Sequence, residues 1–198
     1  MRHRNGATDA TPPPRPSSPG PWAVAALCAG AVGLIAVIDL VLQARRWPVP
    51  VVAVLDEPAH LATAALLLAA LLPRRARGLV PWALAGAVLI DLDHVPLYLW
   101  DAVAAGVPGR PVTHSLCTVL VLAAVGLLAP RRVRTAFSGL ALGVALHLVR
   151  DLATGPGAPL WWPAGPASVT VPHPAYLTVM ALTAVLAVGR HLRTRRVA

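Results

Sequence analysis

The fold class this sequence predicts is an all-α membrane protein, a bundle of about six transmembrane helices with both termini cytoplasmic. Three observations carry that reading. First, the 198 residues are 57% hydrophobic and only 13% charged, with a mean hydropathy of +0.66. Soluble domains have roughly 45–50% apolar and about 25% charged residues. Second, long apolar runs recur from residue 22 to residue 192, near the length a bilayer requires. Third, the arginines cluster between these runs with a one-sided bias.

Residues 1–20 are polar and rich in Pro, Ser and Gly, so they cannot bury a core and form a disordered cytoplasmic tail. A single transmembrane domain is expected over residues 21–192, followed by a basic cytoplasmic end at 193–198. The first apolar segment, 22–43, is too long for a signal peptide and lacks a small-residue cleavage site, so it reads as an anchor helix. Further spans are expected at 51–72, 79–100, 112–129, 135–153 and 173–192. Pro and Gly punctuate most of the gaps, at Pro48, Pro50, Pro73, Pro108, Gly109 and Pro130. Cys28 and Cys117 fall within apolar segments at different depths, which suits packing better than a disulfide.

The net charge of +9 comes from 17 arginines and no lysine. Because the arginines flank apolar runs, they point to lipid head groups rather than nucleic acid. With the N-terminus inside and six alternating spans, thirteen arginines fall inside and four (Arg45, Arg46, Arg110 and Arg150) outside. The expected location is therefore a bacterial plasma membrane, with both chain ends inside.

That topology places the polar residues without having used them. Asp56, Glu57 and His60 open the second span; Asp91, Asp93 and His94 lie late in the third. His114 begins the fourth, and His147 with Asp151 ends the fifth. An ionisable side chain inside a span costs about 2.5–3.5 kcal/mol or more. Here nine gather toward the outer ends of four spans, roughly 5–15 Å below the surface at about 1.5 Å per residue. Glu57 and His60, and Asp91 and His94, are spaced i,i+3, while His147 and Asp151 are spaced i,i+4, so each pair shares a helix face. Asp93 cannot share that face in a regular helix. His3, His173 and His191 read as capping or interfacial residues, and Asp39 and Asp101 as interfacial charges. Asp56 is left without a role.

The order Asp91-Leu92-Asp93-His94, then Arg110-Pro111-Val112-Thr113-His114-Ser115, then His147-x-x-x-Asp151 resembles the membrane-bound metal-dependent hydrolase family typified by YdjM. His60 matches that family's early histidine, and Thr154-Gly155 with Trp161-Trp162-Pro163 matches its later loop. Ile90 stands where the family has Pro, Gly109 where it often has His, and Pro111 where it often has Gly. The resemblance spans about residues 57–165. It implies a ligand set of His60, Asp91, His94, His114, His147 and Asp151.

Mixed histidine and carboxylate ligands suit a divalent metal, zinc first, with manganese or iron as alternatives. Such an ion acidifies water, and Asp93 or Glu57 would accept the proton. Arg110, with Ser115, would bind the substrate, a lipid or other amphipathic ester or phosphoester reached at the outer leaflet. Trp161 and Trp162 read as interfacial anchors. Three rivals stay open. A metal-independent phosphatidic-acid-phosphatase-type enzyme fits His114 and the His147/Asp151 pair but needs more basic clamps. A di-metal carboxylate oxidoreductase needs more glutamates than Glu57, the only one in the chain. A metal or proton transporter needs a path through an inner half that reads as apolar.

Overall fold

The computed structural model describes residues 19–95 and 110–196. Most of the N-terminal tail with His3, the end of the third apolar segment, Asp101 and Gly109 lie outside the described residues. Among the described residues, six α-helices run in the order α1 (Pro21–Ala44), α2 (Val49–Leu71), α3 (Val80–Leu89), α4 (Leu116–Leu128), α5 (Arg131–Asp151) and α6 (His173–Arg196). Two 3-10 turns, Arg74–Leu79 and Ile90–Asp93, flank α3. Among the described residues there is no strand, only an isolated bridge between Ala158 and Val169.

Proline sets most of the boundaries. Leu72 and Ala129 are extended at the ends of α2 and α4, each just before a proline, which disfavours a helical residue ahead of it. Pro21 and Pro50 sit in the first turns of α1 and α2, where a missing N–H costs nothing.

Three helices, α1, α2 and α6, are long and apolar enough to cross a membrane. The other three expected spans appear as helices of different character. In the third, the helix stops at Leu89 and tightens into the 3-10 turn that carries Asp91 and Asp93. α4 begins only at Leu116, so His114 stands in the preceding turn and does not open the helix. α5 has 21 residues but carries Arg131, Arg132, Arg134, Arg150 and Asp151.

α2 packs against α1, α3, α5 and α6, while α5 packs against α2, α3 and α4. Ile35, Ala59, Ala64, Met180 and Ala184 fill the core. Leu120, Leu127, Leu128, Val185 and Leu186 face outward, an apolar exterior suited to lipid. The closest approach is between α3 and α5. A Cβ on Gly143 would stand 2.2 Å from the Ala83 carbonyl oxygen, and one on Gly86 would stand 2.6 Å from that of Leu140. Small residues at such crossings let two backbones touch. The contact also carries the Ala87 carbonyl against the His147 ring.

Gly143→Ala should therefore destabilise the bundle by about 1–3 kcal/mol through overpacking. Gly189→Ala, whose Cβ would meet nothing within 4 Å, should leave stability unchanged or raise it slightly. Thermal unfolding of the two variants in detergent checks this, and equal midpoints would contradict the close α3–α5 contact.

Candidate functional site

Each element delivers its polar residues to the same end of the bundle. α2 supplies Asp56, Glu57 and His60 near its start. The 3-10 turn after α3 supplies Asp91 and Asp93, with His94 next. The turn before α4 supplies Arg110, Thr113 and His114, and α5 ends in His147, Arg150 and Asp151. His60, His114, His147, Arg150 and Asp151 are at most 1% exposed.

Two sets of potential ligand atoms each lie within 4.8 Å of one another: Asp91, Asp93, His94 and His114, and then His60, His147 and Asp151. The Asp91 Oδ1 atom lies 3.3 Å from His94 Nδ1 and 3.5 Å from Nε2 of both His114 and His147. Asp151 lies 2.8 Å from His114 Nδ1, 3.2 Å from His147 Nε2 and 3.6 Å from His60 Nε2. The His60 and His147 rings stack with centroids 3.7 Å apart. His114, between Asp151 and the Asp91/Asp93 pair, ties the two sets together.

Several residues take roles that spacing does not predict. His60 pairs with Asp56, one turn earlier, at 3.2 Å, while Glu57 turns toward Asp91. Asp93 shares the site face after all, because the tighter 3-10 turn re-aims it. It contacts His94 at 3.0 Å and His114 at 3.3 Å, accepts a bond from Thr113, and so joins the ligand group. Arg110 is no free rim residue: it is buried and donates to Asp151 Oδ1 at 2.6 Å. Ser115 is fully buried with an unpartnered Oγ; it caps the turn into α4 by backbone position and does not line the cavity described below.

The largest departure is Arg150, a flank residue by its sequence position. It is wholly buried and donates to Asp39 at 2.7 Å, to Asp56 from Nε at 3.0 Å and to the Tyr176 hydroxyl at 3.4 Å. Asp39 is buried rather than interfacial, and its other oxygen meets His173 Nε2 at 2.8 Å. Tyr176 in turn pairs with Thr63 at 2.6 Å. This network joins α1, α2, α5 and α6. The i,i+4 spacing of Asp56 and His60 is the one sequence signal that pointed toward it.

The donor set fits a divalent cation. His147 Nδ1 lies 2.7 Å from the Ala87 carbonyl, a contact only an N–H can make favourably. In the neutral ring that leaves Nε2 as a lone pair, buried without a hydrogen-bond partner while facing carboxylate oxygens of Asp91 and Asp151. With that ring neutral, three acceptors converge out of water, and a cation among them would relieve their repulsion. A backbone carbonyl holding the other imidazole nitrogen is a common arrangement for a metal-ligating histidine. Charge count agrees: the six carboxyl groups at this end (Asp39, Asp56, Glu57, Asp91, Asp93 and Asp151) are paired with two buried guanidiniums, Arg110 and Arg150, while Arg45 and Arg46 are exposed.

Beside the cluster lies a cavity of about 540 Å³, reached by Asp91, His94, Arg110 and Arg150 on one side and by Leu42, Val52 and Ala53 on the other. Gly155, at φ +56°, closes one edge; a Cβ there would stand 3.5 Å from an Arg110 nitrogen.

The profile of the YdjM inner membrane protein family matches residues 55–198. The chain belongs to this family. No curated protein and no solved structure matches it. The YdjM match takes in every residue of the two ligand sets and leaves α1, with Asp39, outside.

Asp39→Asn should strip one of two counter-charges from Arg150, leaving Asp56, and cost about 1.5–3 kcal/mol, the worth of a charge-assisted hydrogen bond. Loss of less than about 1 kcal/mol in chemical unfolding would mean that Arg150 reaches water instead.

Proposed function

We propose that this chain is a membrane-embedded, metal-dependent hydrolase acting on the ester or phosphoester of a lipid or other amphipathic substrate. The observation that carries the reading is His147. Its Nδ1 is committed to the Ala87 carbonyl while its Nε2 points, with no donor, at Asp91 and Asp151. The ligands would come from His60, Asp91, His94, His114, His147 and Asp151, which fall with Asp93 into one group of four and one of three, more than a single four-coordinate ion uses. Zinc suits these ligands best, then manganese or iron. Bound there, a divalent cation would acidify water and polarise the substrate's reacting oxygen.

The chain's own groups would do the rest. Glu57 keeps a buried Oε2 with no partner beside Asp91, so it is the carboxylate free to take a proton from water and return it to the leaving group. Asp93, by contrast, is engaged by Thr113, His94 and His114 and serves to hold those side chains. Arg110 spends one nitrogen on Asp151 and leaves a buried, unpartnered Nε while lining the cavity, so it suits an anionic head group. Leu42, Val52 and Ala53 offer the same cavity an apolar wall for a chain.

The arginine distribution supports placing the site at the extracytoplasmic side. Arg150 is spent on Asp39 and Asp56, which leaves Arg110 as the one buried guanidinium at the cavity with a nitrogen to spare; this favours metal chemistry over a metal-free phosphatase, which would need several basic clamps.

Three tests follow from these roles. Purified protein should carry stoichiometric metal by elemental analysis, and His147→Ala and Asp91→Asn should lose it. If wild type saturated with zinc, manganese or iron retains none after desalting, the metal reading fails. Glu57→Gln should keep its metal yet hydrolyse chromogenic acyl esters or phosphoesters in detergent about 10²–10⁴-fold more slowly. Wild-type turnover retained by Glu57→Gln would remove Glu57 as the base, and ion flux in liposomes without hydrolysis would replace the enzyme with a transporter.

A further inference from the structure

A second cavity, about 510 Å³, lies at the opposite end of the bundle. It sits where α1 begins, α2 ends, the first 3-10 turn runs and α6 ends. Its charged lining is wholly basic: Arg74, Arg77 and Arg190, with His191 beside them. All six described acidic side chains belong to the other end. Among the described residues, Arg74 and Arg77 have no hydrogen-bond or ion-pair partner, and Arg190 makes one bond, to the Ala70 carbonyl at 3.1 Å. His191 Nε2 is buried with no partner. The remaining wall is apolar, including Leu68 and Leu84.

We propose that this cavity binds an anionic phospholipid, its phosphate among the three arginines and His191 and its acyl chain along Leu68 and Leu84. Unpaired guanidiniums gathered at one mouth want a multivalent acceptor. A free phosphate would satisfy them but leave the apolar wall wet, whereas a lipid satisfies both. Basic pockets between membrane helices take such head groups. This site is separate from the metal cluster and does not depend on the hydrolase reading.

The test compares phosphatidylglycerol with phosphatidylcholine added to the full chain in detergent, read by thermal unfolding and by native mass spectrometry. Phosphatidylglycerol should raise the unfolding temperature and be retained, and phosphatidylcholine should not. The Arg74→Gln, Arg77→Gln double variant should bind phosphatidylglycerol roughly thirtyfold more weakly, two arginines' share of the attraction. Arg131→Gln, which removes an arginine that does not line the cavity, should bind as wild type. Equal response to both lipids, a double variant that binds as wild type, or equal stabilisation by inorganic phosphate alone would each overturn the proposal. Should the double variant not fold, the lipid preference of the wild type alone still decides. Metal content of the same samples reports on the other site independently.

Discussion

A carboxylate with no access to solvent, that of Asp151, governs the polar end of this bundle. It ends α5, accepts from Arg110 in the turn before α4, and faces His114, His147 and His60. A buried anion is tolerable only with counter-charge and hydrogen bonds around it. The turn before α4, the start of α2 and the end of α5 must therefore meet at this point. The glycine contact between α3 and α5 serves the same end, because it presents the Ala87 carbonyl that orients His147.

Arg150, the next residue back, solves a related problem on the other side of α5. It pairs with Asp39 and Asp56, and Asp56 in turn orients His60. α1 is thus tied to the candidate metal ligands by one ion pair, although the YdjM family match begins after it. The helix also supplies Leu42 to the cavity wall, so that wall is built partly by a helix outside the shared region.

The gathering of histidines and carboxylates at one end of the bundle was legible in the sequence, because apolar runs and helix rise set each residue's distance from its helix end. Their pairing was not. Asp93 looked misplaced because a regular helix was assumed where a 3-10 turn forms. Arg150 looked like a topology residue because an arginine at the end of an apolar run reads the same whether it faces lipid head groups or a buried carboxylate. Gly139 and Gly143 carried a spacing that permits close approach, yet only the facing Ala83 and Gly86 show that α3 is the partner. Membrane-spanning length is clear for α1, α2 and α6; the shorter α3 and α4 owe their ends to the site's own turns.

The central claim is that these histidines and carboxylates bind divalent metal. X-ray absorption at the zinc edge, on zinc-loaded protein, tests it most directly. The account predicts nitrogen and oxygen ligands at about 2.0–2.2 Å, with imidazole scattering that weakens in His147→Ala. Sulfur at about 2.3 Å, or a spectrum that His147→Ala leaves unchanged, would contradict it.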